Sequence, residues 1–393
     1  MQRATARRCS EKELVFVAVD GTSLCVTDRN HSKDIGAVGS WHQGARGMYA
    51  MTALVVDDAG APLGIGAQKL WCRDRRSRRD PKGRPARGGE SMYWQEVLED
   101  CAQTLAGARA WYQMDRGADC WQVLSFAKES GLSVTVRAVH DRRIDNCIHR
   151  LWSLVEMAPV RATRVVHVRE RPASMRRQRR RKERFNQPTG GQRARKAKVQ
   201  IRAATVPLRL TTPKGKQIVE YNAVLVREIK KSKQQLCWLL LTTEPIKTQQ
   251  DVLQVVRGYT LRWRVEDFHR AWKQGLCNVE DTQLRSRSAI AKWATILAAV
   301  AIRAMRLSHQ ARLTPNAPAT DELSPSELEA LIILRKPKKP PDGVPSLAEA
   351  VRWIAELGGY TGPWNGPPGA TTIGRGLNDV ELVARAFELR DKM

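Results

Sequence analysis

Three carboxylates, widely separated along the chain, have the settings that phosphoryl transfer needs. Asp20 closes the apolar run ELVFVAVD, Asp115 closes AWYQMD, and Glu266 lies within YTLRWRVEDFHRAWK, residues 259–273. Two acids at strand ends and one on a helix could hold two divalent ions on either side of a scissile phosphate. Carboxylates suit Mg2+, a hard cation that keeps water ligands and shares its shell with substrate oxygens. Each acid also has a plainer reading. The Asp20-Gly21 pair is a hairpin signal, and Asp115 could cap a helix. Glu266 could pair with Arg262 and Arg270 on a wet surface, each pair contributing a few tenths of a kcal/mol. Asp119 and Gln122 form a capping-box pattern for the next helix, which leaves Asp115 without a structural task.

The elements around the third acid explain why so much charge is crowded there. With about 100° of rotation per residue, Tyr259, Arg262, Glu266, Arg270 and Lys273 fall on one stripe of a continuous helix. Leu261, Val265, Phe268 and Trp272 fall on the opposite side, giving an apolar back to bury.

Composition narrows the partner. The 393 residues contain 67 Lys and Arg against 40 Asp and Glu, a net charge of +27. Such an excess implies a polyanion, with nucleic acid first. A membrane is disfavoured because the most apolar segment, 289–307, carries Lys292, Arg303 and Arg306. The polar N-terminus has no signal-peptide pattern and leads into a strand. Eight cysteines without a CxxC spacing fit reduced cytoplasmic thiols rather than zinc or disulfides, and seven scattered histidines offer no metal site.

Along the chain, strands over residues 13–20, 48–58 and 61–71 open an antiparallel meander. A basic loop at 73–87, a helix at 93–105, the strand ending at Asp115, a helix from Asp119 and the strand LSVTVRAV follow, an α/β plan. Residues 150–235 read as a β-rich insertion holding the basic run RRQRRRKER at 176–184, whose charge would strengthen phosphate binding. The strand LCWLLLT, a helix over 248–274 and a long apolar helix restore the α/β texture. A linker, RKPKKPPDGVP, precedes two tail helices.

Tyr259, Arg262, Glu266 and Lys273 match Y-(2)-R-(3)-E-(6)-K. This resembles the signature of bacterial cut-and-paste DDE transposases of the insertion sequence 4 family, transposon five type. VAVDGTSL, QMDRGAD and CWLLLTTEP resemble further stretches of that family, so the resemblance covers nearly the whole chain. It implies a ribonuclease-H-like core formed by 1–149 and 236–312, a β-rich insertion at 150–235, and a C-terminal helical dimerisation region at 313–393. It further implies that Asp20, Asp115 and Glu266 hold two Mg2+ ions, for which Mn2+ can substitute, and that Tyr259, Arg262, Arg270 and Lys273 contact DNA near the cleaved phosphate. Trp238 matches a tryptophan that stacks on a flipped base, with a core tryptophan as the plainer alternative, and Arg137 resembles an arginine near the site. The implied activity is cleavage at transposon ends through a hairpin intermediate and strand transfer into target DNA. A homodimer in a synaptic complex would carry it out, in the bacterial cytoplasm or on the nucleoid. The sequence departs from the pattern twice: Arg270 replaces the usual lysine, and only nineteen residues precede Asp20 where the family has an end-recognition region. The second departure keeps two alternatives: a catalytically competent remnant unable to find its own ends, and a non-catalytic DNA-binding or inhibitory derivative acting through dimerisation.

Overall fold

The computed structural model describes residues 1–28, 30–39, 45–73, 90–168, 174–177, 186–189, 193–230, 235–336 and 343–390. The basic runs at 74–87 and 178–184, and most of the linker around 340, lie outside them. Contacts divide the chain into two compact units, residues 1–113 with 261–393, and residues 114–260.

In the first unit, the run from Val15 to Val19 is buried throughout, as expected of a strand covered on both faces. It opens β1 (Val15–Cys25), which does not stop at Asp20. The strand continues through Gly21 to Cys25 in unbroken antiparallel register with β3 (Arg46–Val56), Asp20 opposite Thr52. Asp20 is therefore no hairpin turn. The short β2 (Gly36–Ala37) and β4 (Pro62–Trp71) pair with the other edge of β3. The β3–β4 turn is tied by Asp57, whose Oδ1 accepts from the Ala61 amide at 2.8 Å, while Gly60 takes a φ of 83°. β5 (Ala110–Met114) lies beside β1 on its remaining edge.

Helices cover this sheet. A helix unforeseen in the sequence, α1 (Gln2–Cys9), docks on β4, with the Thr5 hydroxyl donating to Ile65 O at 3.1 Å and Arg8 to Leu63 O at 3.1 Å. α2 (Met92–Thr104) packs on β3 and β4 through Trp94, Val97, Leu98 and Cys101.

The second unit begins with Asp115. It contains α3 (Trp121–Glu129), β6 (Ser133–Arg137), α4 (Leu151–Met157), β7 (Val160–Val168), a small ribbon of β8 (Ser174–Arg177) and β9 (Asn186–Thr189), β10 (Arg195–Thr212), β11 (Gly215–Glu228) and β12 (Cys237–Thr242). Its antiparallel sheet runs β6-β12-β11-β10-β7. Residues 150–235 hold β7 to β11 together with α4, within a compact unit that runs over 114–260. α5 (Gln249–Leu261) closes the unit.

Back in the first unit, α6 (Arg264–Lys273) and α7 (Arg287–Leu313) precede three tail helices, α8 (Pro325–Arg335), α9 (Leu347–Leu357) and α10 (Ala370–Arg390). The expected single helix over 248–274 is interrupted at Arg262 and Trp263, where the Glu266 and Asp267 amides both fold back on Trp263 O. α7 is long and apolar enough to cross a membrane by length and composition. Its Arg306 forks onto Glu322 at 2.8 and 2.5 Å and Arg303 meets Glu327 at 2.6 Å, the pattern of a helix held inside a folded unit. α9 and α10 cross in backbone contact: a Cβ on Gly376 would lie 1.8 Å from Ile354 O.

Candidate active site

The apolar back of α6 sets the direction of its polar face. Val265, Phe268 and Trp272 are fully buried, Phe268 stacks on Trp272 at 5.4 Å, and the Trp272 indole donates to Ala294 O of α7 at 2.9 Å. This packing fixes the rotation of the helix, leaving Glu266 and Lys273 to face β1.

Asp20 and Glu266 meet on a single cation. The Arg262 guanidinium donates from Nη1 to Asp20 Oδ2 at 3.0 Å and from Nη2 to Glu266 Oε1 at 2.8 Å. Its side chain is only 7% exposed, against 16% for Asp20 and 37% for Glu266. A rigid fork suits two oxygens on different elements, and a flexible lysine would not span them in fixed geometry. Asp20 Oδ1 also accepts from the Gly21 amide at 2.8 Å. Eleven residues beyond Arg262, Lys273 fastens α6 to the second half of β1: its Nζ donates to Ser23 O at 2.7 Å and lies 3.2 Å from Glu280, whose Oε1 accepts from the Cys25 amide at 2.7 Å. The stretch of β1 beyond Asp20 is therefore the rail on which the lysine sits.

The other expected residues are placed differently. Arg270 is 75% exposed and lies 3.9 Å from Asp267. Tyr259 belongs to α5 in the second unit, where it is 2% exposed and meets Trp238 edge-on at 5.1 Å. The stripe drawn on one continuous helix therefore ends at Arg262. Trp238, 7% exposed, stands in β12 opposite Val226, and offering its face to a base would require this packing to open. Arg137 ends β6 and donates to Cys237 O at 3.1 Å. Asp115 caps a 3₁₀ turn, its Oδ1 accepting from the Gly117 amide at 2.8 Å. It thus has a capping task of its own, where the sequence left it without one. Asp119 instead accepts from the Val139 and His140 amides at 2.7 and 2.9 Å and from Arg142, and α3 has Cys120 at its cap.

His269 is the residue that the sequence reading passed over. It is seven residues after Arg262 and four before Lys273, so the rotation that grouped the others also points it to their face. Its Nε2 is buried without a hydrogen-bond partner among the described residues. Burial, then the charges of Lys273 and Arg262, push the imidazole down to about 3. The unfolded chain carries an ordinary histidine near pH 6.5, so unfolding takes up a proton between the two values. Stability from this source is complete above about pH 6.5 and is lost as pH falls toward 3, with a slope approaching about 1.4 kcal/mol per pH unit. His269→Gln should flatten the dependence of urea-unfolding stability on pH between 7 and 5. An unchanged slope would show that the imidazole titrates normally.

Among the described residues, no group of three or more His, Cys, Asp and Glu side chains is gathered for a metal ion. The Asp20 and Glu266 oxygens nevertheless converge on one buried positive group. Paired hard oxygens supplied by two rigid elements fit a divalent cation such as Mg2+.

The model of the transposase DDE domain matches residues 81–303, more than half of the 393. The chain belongs to this family. Asp115 and Glu266 lie inside the matched segment and Asp20 precedes it. Among solved structures, the chain is similar to the piggyBac transposase of a cryo-EM synaptic complex with hairpin DNA. The match has 10% identity and a TM-score of 0.38, over 79% of this chain and 51% of that one. The chain thus spans about half the length of that transposase.

Proposed function

We propose that this DDE-family chain is a DNA transposase of the insertion sequence 4, transposon five type. It performs Mg2+-dependent cleavage at transposon ends and strand transfer into target DNA on a ribonuclease-H-like core. The observation that carries this reading is the convergence of Asp20 and Glu266 on Arg262 in a chain of this family. In this reading Asp20, Asp115 and Glu266 hold the divalent ions. Divalent ions held by these carboxylates would supply Lewis-acid polarisation of the attacking oxygen and offset charge on the phosphate.

The chain's own residues prepare that chemistry. Arg262 keeps the two carboxylates aligned and offsets their mutual repulsion, so the acids are positioned before substrate arrives. Lys273 holds α6 against β1, fixing Glu266 relative to Asp20. Arg270, exposed one turn beyond Glu266, is available to a backbone phosphate. Two copies of the chain bridging two ends as a homodimer complete the proposal.

The test is incubation of the purified protein with supercoiled plasmid and with fragments carrying the inverted repeats that flank its coding sequence. Nicking, hairpin ends and joined products are expected with Mg2+ and none with EDTA. Tight DNA binding without any of these products under either metal, Mg2+ or Mn2+, would overturn the catalytic reading.

A further inference from the structure

Resting on the transposase reading, we propose that a basic cleft wholly within the second unit is a separate docking groove for DNA backbone phosphates. The cleft lies between the start of α3, the loop joining β6 to α4, and the tip of the β10–β11 hairpin. Its volume is about 630 Å3, and a recess of about 400 Å3 adjoins it, the two sharing Arg143, Arg150 and Arg209. This volume exceeds what a single phosphate would fill.

The groove is built before any ligand arrives. Its loop is stapled to β10 by backbone bonds, Asp145 N to Pro207 O at 3.0 Å and Arg209 N to Arg143 O at 3.2 Å, and by an isolated bridge between Ile144 and Leu208. Asp119, buried beneath the loop, binds the Val139 and His140 amides and Arg142. That one carboxylate sets the path of the chain where the arginines emerge.

The acids at the cleft neutralise two of its cations in place, Asp119 holding Arg142 and Asp145 holding Arg209, and leave the others uncommitted. Asp145 is paired with Arg209 at 2.6 Å, and Asp141 Oδ1 receives the Trp152 amide at 3.1 Å. Five Arg and Lys line the cleft against two aspartates. Arg143 and Lys216 are exposed and have no carboxylate partner among the described residues, and Arg150 donates only to Asp141 O at 2.9 Å. Several uncommitted cations in a preformed groove match a row of phosphates, to which guanidinium groups bind as forks. Half-buried Trp121 on the wall gives the groove one aromatic surface. The cleft's one thiol, Cys120, is pushed up by burial and so is not activated, and the groove is assigned to binding and not to cleavage.

The experiment compares two full-length triple variants in duplex-DNA binding by anisotropy across 50–300 mM salt. Arg143→Ala/Arg150→Ala/Lys216→Ala removes the cleft cations. Arg352→Ala/Arg375→Ala/Arg385→Ala removes as many exposed charges from the tail helices. Each phosphate contact contributes about 0.9 to the slope of log K against log salt. The cleft variant should lose about 2–3 from that slope and at least tenfold in affinity at 100 mM salt, while the tail variant stays within about threefold of wild type. Lys216→Glu alone, at a hairpin tip where folding is safe, should lower the slope by about 1. Equal losses in both triples would show an effect of total charge and overturn the groove alone. A wild-type protein that does not bind DNA would overturn the transposase reading with it.

Discussion

Glu266→Gln protein is expected to fold, bind DNA and fail to cut it. The carboxylate is 37% exposed and shares Arg262 with Asp20, so losing its charge should cost no more than about 1 kcal/mol of stability. Cleavage and strand transfer should nevertheless fall on the order of a thousandfold or more, because an amide keeps the shape but offers a divalent ion a weaker, neutral oxygen. Binding should hold or tighten, since a negative charge near phosphates is gone while Arg262, Arg270 and Lys273 remain. Product formation from pre-cut ends, followed beside a binding curve, separates the two effects. Wild-type cleavage by this variant would return Glu266 to the status of an ordinary surface ion-pair partner.

The largest stability effect is expected at Arg262. Breaking a buried ion pair costs about 3–5 kcal/mol, and the partial exposure of the acids lowers the expectation for Arg262→Ala to about 2–3 kcal/mol. The variant also leaves Asp20 and Glu266 facing each other without the guanidinium that offsets their repulsion. A divalent ion should then bind the pair more tightly than in wild type and raise the thermal midpoint by a larger margin. Melting both proteins across a Mg2+ titration measures this directly. Parallel rises would mean that the guanidinium and the metal do not share the same oxygens.

Particular residues separate what the sequence makes legible from what only the fold decides. The apolar run before Asp20 marked its strand, but the Asp20-Gly21 pair also signals a hairpin, and only pairing with β3 as far as Gly47 extends the strand. The apolar back of α6 was legible from its spacing. The interruption before α6 was not, for no proline or glycine lies there and the cause is tertiary: Arg262 reaches a carboxylate 242 residues away. Asp119 carries a good capping pattern that is overridden by Arg142 and two amides some twenty residues downstream. α1 is short and polar, and its hold on β4 depends on bonds to residues nearly sixty positions later. Local signals therefore found elements with a continuous apolar face, and missed those defined by one distant hydrogen bond.

The first unit is assembled from two stretches of chain with the whole second unit between them, and this has a consequence in time. A ribosome adds about 5–20 residues per second, so Asp20 emerges roughly 12–50 s before the arginine that will hold it 242 positions later. During that interval residues 114–260, an uninterrupted stretch, are complete and able to condense, while β1 and β3 must wait for α6 and the helices that cover them. A nascent or prematurely ended chain thus carries its positive charge long before it can present the paired acids. The order of synthesis delays the pairing of Asp20 with Glu266 until both stretches of the first unit have left the ribosome.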